Sequence, residues 1–150
     1  MVRRIIAALL LGGMLLTGCG WLNDSEKYGA LPNPPVRFTQ QDYVNPKNPE
    51  DGYMAVEYGG RLYLPYGTLK GVIRPKDVQA CIGYVFQEDY PDDTNSRLHT
   101  LAADQDVNYL MEYYVNGMME QPTFYRALDT RGREIVTPGF IESLDYDVWK

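Results

Sequence analysis

Between residues 53 and 66 the chain reads Tyr53-Met54-Ala55-Val56-Glu57-Tyr58, then Gly59-Gly60, then Arg61-Leu62-Tyr63-Leu64-Pro65-Tyr66. Two runs rich in aromatic and aliphatic residues flank a pair of glycines, which can both take the positive φ that a two-residue hairpin turn demands. The pattern predicts a β-hairpin and therefore an antiparallel sheet. Pro65 has no N–H to give a ladder, so the second strand is expected to end early or to lie at an edge there.

The segments that follow fit the same class. Gly67-Thr68-Leu69-Lys70-Gly71 reads as a glycine-bounded loop, and Ala80-Cys81-Ile82-Gly83-Tyr84-Val85-Phe86 as a short apolar strand. Residues 87–96, with Pro91 and several acids, read as a loop, and Arg97-Leu98-His99-Thr100-Leu101 as a further strand. Val107 to Met119 is ambiguous. Val107, Leu110, Met111, Tyr114, Val115 and Met118 fall on one helical face with Asp104 placed to cap, whereas Tyr109, Tyr113, Tyr114 and Val115 also suit a strand. The tyrosine density favours the strand. Thr123–Leu128 and Arg133–Val136, joined by Asp129-Thr130-Arg131-Gly132, predict a second hairpin, and Thr137-Pro138 the start of a short helical turn through Ser143. The expected fold is mainly β, a small antiparallel sheet or barrel-like domain. One or two short helices would make it α+β.

The start of the chain has a different character. Arg3 and Arg4 precede an apolar run from Ile5 to Thr17, and Leu16-Thr17-Gly18-Cys19 closes it. This is the layout of an export signal, and the run is shorter than the roughly 20 apolar residues of a spanning helix. Leu16, Thr17, Gly18 and Cys19 resemble, at all four positions, the lipobox of bacterial lipoprotein precursors. The resemblance covers residues 1–19 only. It implies that residues 1–18 are a signal peptide cut before Cys19. It also implies that the Cys19 sulfur carries a diacylglycerol, and that acyl chains such as palmitate anchor the mature protein to the cell membrane or the outer membrane, outside the cytoplasm. Two or more acyl chains hold a protein stably, at about 0.8 kcal/mol per buried methylene.

Residues 19–50 carry Pro32, Pro34, Pro35, Pro46 and Pro49 and read as a proline-rich tether. Phe38, Tyr43 and Val44 are apolar exceptions that leave its latter part able to fold back. Residues 51–150 are expected to form one β-rich domain.

Charge narrows the partners. Loss of residues 1–18 removes Arg3 and Arg4 and no acid. The balance moves from 14 cationic residues against 20 acids to 12 against 20, a formal charge of −8. Phosphate backbones repel such a chain, so nucleic acid is not an expected partner. With Cys19 taken by lipid, Cys81 has no cysteine to pair with.

Candidate chemistry is sparse. Cys81 and His99 are the only thiol and imidazole after the signal, but an apolar setting raises a thiol pKa, and a buried structural cysteine is the preferred reading. Asp104-Gln105-Asp106-Val107-Asn108 opens like a calcium loop, yet Tyr109 stands where glycine must bend and Val115 where a bidentate Glu must bind. One His and one Cys are too few for a closed zinc site. No cofactor, metal or catalytic residue is therefore assigned. Tyr109, Tyr113 and Tyr114 are the candidates for a ligand-binding platform, because tyrosine joins contact area to a polar tip, although core packing explains them more simply. The reading is a membrane-anchored binding or interaction module with an envelope protein, peptide or glycan as ligand. A carboxylate-using envelope enzyme, or a structural accessory of an envelope complex, is the alternative.

Overall fold

The computed structural model describes residues 27–116 and 121–150. The signal, the lipobox and Met118 lie outside them. The protein is mainly β. Its strands are β1 (Arg37–Phe38), β2 (Gln41–Val44), β3 (Gly52–Tyr58), β4 (Arg61–Leu69), β5 (Val78–Val85), β6 (Ser96–Leu101), β7 (Tyr109–Tyr114), β8 (Thr123–Ala127) and β9 (Ile141–Ser143). Short 3₁₀ turns at Pro75–Asp77, Leu128–Thr130 and Asp147–Trp149 are the helical elements among the described residues.

The sheet runs β1-β5-β6-β7-β8-β4-β3-β2, curled into a half-barrel, with β9 paired to β4. β1 and β2 stand at opposite ends of that order, yet only Thr39 and Gln40 separate them in sequence. The segment 37–44 therefore joins the two ends of the sheet. It pairs first with β5, then with β3. With residues 37–44 counted as one position, seven strands form the circuit, and an odd number of strands in a circuit cannot all be antiparallel to their neighbours, so one pair is parallel. That pair is β1–β5. The Phe38 and Tyr58 rings meet edge to face at 6.1 Å, extending the β2–β3 alignment beyond its ladder.

Strand alternation separates two faces. Val56, Tyr63, Val85, Leu98, Leu110, Tyr125 and Ala127 pack together on the inner face, with Phe38 and Tyr58 against them. The outer face of β6–β8 carries Leu101, Tyr109, Met111, Tyr113 and Phe124, covered by Tyr28, Ile73 and Ile141. The outer face of β3 and β4 carries Ala55 and Leu64 beneath Val148 and Trp149 of the C-terminal tail. The fold thus begins well before the predicted boundary at residue 50. Tyr28 is buried, and β1 and β2 both lie within the stretch read as tether.

The Gly59-Gly60 hairpin is present as β3–β4, both glycines at positive φ. Residues 109–114 are a strand, as the tyrosines suggest. Three local expectations are corrected. β4 continues past Pro65 to Leu69, taking in the start of the expected glycine loop. One edge of β4 is shared, by β3 up to Tyr63 and by β9 from Gly67, and Pro65 sits in the handover where no N–H is required. Arg133–Val136 forms no strand, so the second hairpin is absent, and β8 pairs with β4 and β7 instead. The helical turn after Pro138 is a single Pro138–Ile141 turn leading into β9.

One glycine sets how closely the joining segment approaches. A Cβ at Gly83 would lie 2.3 Å from the Val36 carbonyl oxygen and 2.6 Å from Cε2 of Phe38. Gly83→Ala is expected to cost about 2 kcal/mol, as overpacked interior positions do, by pushing β1 off β5. A lower urea midpoint checks this, and an unchanged midpoint would show that β1 is not held there.

Candidate functional site

At one end the inner face changes from apolar to polar. Register places Glu112 opposite Leu98 of β6 and Thr123 of β8, and its half-buried carboxylate points into the half-barrel. Ser96 donates its hydroxyl to Oε1 in a short hydrogen bond, and the Tyr125 hydroxyl donates to Oε2 at 2.6 Å. Gln40 Nε2 donates to the Tyr125 oxygen at 3.3 Å, so the segment joining the sheet ends is tied to the strands across the interior. Burial, and then the Glu112 carboxylate beside it, push the Tyr125 hydroxyl well above the usual phenol range. It therefore stays protonated and remains a donor.

Gln40 also lines a cleft of about 490 Å³, together with Arg37, Thr39, Met54 and the Phe86–Asp89 stretch. The Arg37 guanidinium carbon lies 3.5 Å from the centroid of the Phe86 ring, a cation–π contact. Met54 continues into a neighbouring groove of about 370 Å³ lined by Asp42, Tyr43, Val44, Gly52 and Tyr53. The loop after β5 borders the same end, where Tyr114 donates its hydroxyl to Asp93 Oδ2 at 2.5 Å.

The opposite end is closed by Arg61. It makes a two-pronged contact with Asp129 and also donates to the carbonyls of Asp106 and Val107 and to Asn108 Oδ1. Tyr63 adds a hydrogen bond to the Val107 carbonyl at 2.6 Å. The Arg61 guanidinium holds the Asp129 carboxyl below the usual carboxylate range.

The tyrosines singled out from sequence do not come together as a platform. Tyr109 and Tyr113 are buried in the outer cluster, and only Tyr114 reaches the surface, at 36 % exposure. Cys19, Leu16, Thr17 and Gly18 lie outside the described residues. Asp104, the first ligand position of the calcium-like fragment, is buried and accepts the Tyr109 N–H at 2.6 Å, so it stabilises the turn into β7. The site residues missed by sequence reasoning are Gln40, Ser96 and Glu112. A signal was available for one of them: Glu112 is the single charge inside Tyr109-Leu110-Met111-Glu112-Tyr113-Tyr114.

Cys81 and His99 are register partners on β5 and β6. They nevertheless form no nucleophilic pair. The buried thiol donates weakly to the Gly83 carbonyl at 3.7 Å, and burial pushes its pKa up. His99 is 1 % exposed beneath Tyr28, with no hydrogen-bond partner at Nδ1. Comparison of the chain with protein families, with curated proteins and with solved structures found no match.

Two predictions follow from this geometry. Burial lowers the His99 pKa from 6.5 to about 4, so the unfolded chain takes up the proton first as pH falls. The stability from neutral, buried His99 is complete above pH 6.5 and is lost progressively toward pH 4, by about 3 kcal/mol. Urea midpoints measured across that window should fall steeply for the native protein and less for His99→Gln, whereas equal slopes would exclude His99 as the source. Tyr125→Phe leaves a carboxylate oxygen of Glu112 without its donor and should cost about 1–3 kcal/mol in the same assay.

Proposed function

We propose that the protein is a lipid-anchored, extracytoplasmic binding module, fixed to a membrane through Cys19 and presenting the cleft at Gln40 as its ligand site. The observation that carries the binding part is the polar inner end of the half-barrel. A carboxylate, two hydroxyls and an amide converge there beside a cleft that mixes Met54 and Phe86 with Arg37, Glu88 and Asp89. A few placed polar groups among apolar ones are what orient a ligand. Both oxygens of Glu112 are engaged by hydroxyl donors, which suits a fixed acceptor better than a general base awaiting a proton. That favours binding over carboxylate catalysis.

The anchoring part rests on the lipobox-like Leu16-Thr17-Gly18-Cys19. Gly20 to Glu26 separate Cys19 from Lys27, and so short a stretch spans at most about 25 Å. The folded domain then works close to the bilayer, within reach of membrane-associated partners.

Cys19→Ala should move the protein from the alkali-washed membrane pellet to the soluble fraction and abolish palmitate labelling. A variant that stays membrane-bound would overturn the anchoring. For the cleft, Gln40→Arg should reduce the ligand captured from native envelope by the lipidated protein, and undiminished capture would place the ligand elsewhere.

A further inference from the structure

Of the features outside the Glu112 network, the Arg61 contacts are satisfied within the fold and Cys81 is a buried thiol. The free edge of β2 is different. β2 pairs with β3, and among the described residues nothing pairs with its other edge. Alternate N–H and C=O groups of Gln41–Val44 therefore point away from the sheet, and Gln41, Asp42 and Val44 are exposed.

The empty position has a structural cause. β5 accompanies the joining segment only as far as the hydrogen bond from the Phe86 N–H to the Phe38 carbonyl, 2.8 Å. The chain then leaves the sheet as the loop carrying Glu88 and Asp89, and among the described residues no strand follows it along β2. The 490 Å³ cleft lies there, lined by Gln40 and the Phe86–Asp89 stretch, and shares Met54 with the 370 Å³ groove over the β2–β3 ladder. Asp42, Val44 and Met54 face it on the inner side of the sheet, with Val44 54 % and Met54 44 % exposed.

We propose that this edge takes an extended, basic peptide segment of a partner protein as an added strand, with alternate side chains apolar and cationic. This rests on the binding reading of the same cleft and names its ligand class. Main-chain hydrogen bonds to Gln41–Val44 supply affinity, and the period-two alternation of the incoming strand supplies specificity. Apolar side chains cover Val44 and Met54. Cationic ones meet Glu88 and Asp89, which outnumber Arg37 in the cleft. The same acids argue against a second copy of this chain, since edge-to-edge pairing would bring two acidic rims together.

The probe is a decapeptide of alternating Lys and Val, compared with its Glu-for-Lys counterpart and with one N-methylated at every second residue. The protein is the mature chain, residues 19–150, with Cys19→Ala, so neither the signal nor a lipid plays a part. The Lys peptide should bind saturably, shift the backbone amide resonances of residues 41–44 and slow their hydrogen exchange. Both counterparts, and Glu88→Gln with Asp89→Asn, should bind about tenfold or more weakly. Absence of binding, equal binding of the Glu or N-methylated peptide, or amides 41–44 left unmoved would overturn the proposal. Concentration-dependent dimerisation that protects the same amides would also overturn it, by assigning the edge to a second copy. If peptides fail while Gln40→Arg still lowers capture from envelope, the ligand class is wrong and the cleft remains the site.

Discussion

The fold depends on one segment serving both ends of a curled sheet. Residues 37–44 change partner over Thr39 and Gln40, giving a parallel ladder to β5 and an antiparallel one to β3. Neither ladder is long: β1 has two residues and β2 four. Backbone pairing alone cannot hold such a junction, so side chains reinforce it from inside. Phe38 packs among the inner apolar residues, Gln40 bonds Tyr125 across the interior, and Gly83 lets the segment approach β5 where any Cβ would collide with it.

Curling a sheet buries its inner face but leaves the outer face to be covered by other means. Here the cover comes from segments with no strand partners in their own neighbourhood. Tyr28 lies against His99 and Tyr113, with ring centroids 6.0 and 4.9 Å away. Ile73 and Phe140 come from loops, and Val148 and Trp149 from the tail, where the indole N–H bonds the Pro65 carbonyl at 2.8 Å. That carbonyl sits in the gap between β3 and β9, so the C-terminal residues complete an edge the sheet itself leaves incomplete.

This division explains what could be read from sequence. The Gly59-Gly60 hairpin was legible because turn and strands are adjacent and the turn chemistry is local. The strand at 109–114 was legible only weakly, since Tyr109, Met111 and Tyr113 on one face and Leu110, Glu112 and Tyr114 on the other show little polarity contrast when both faces are covered. Pro65 misled because its tolerance depends on where β3 ends and β9 begins, a fact about distant residues. Arg133–Val136 misled for the same reason: β8 already has β4 and β7 on its two edges, so no place remains for a hairpin partner. The tyrosines failed as a site because the second layer that buries Tyr109 and Tyr113 comes from loops that carry no periodic pattern.

The inner polar end is the part of the structure that hydrophobic collapse does not account for. An apolar residue at 112 would let Leu98, Leu110 and Tyr125 extend the inner cluster to the rim. Glu112 instead needs hydroxyl donors, and Ser96 and Tyr125 are spent in supplying them. A buried polar network of this kind contributes little net stability and leaves unsatisfied groups costly if any member is lost. It fixes geometry. Tyr125 is held where Gln40 can reach it, and Gln40 in turn holds the joining segment at the point where β1 becomes β2. The joining segment is thereby tied from inside the half-barrel at Gln40, the residue that also lines the cleft.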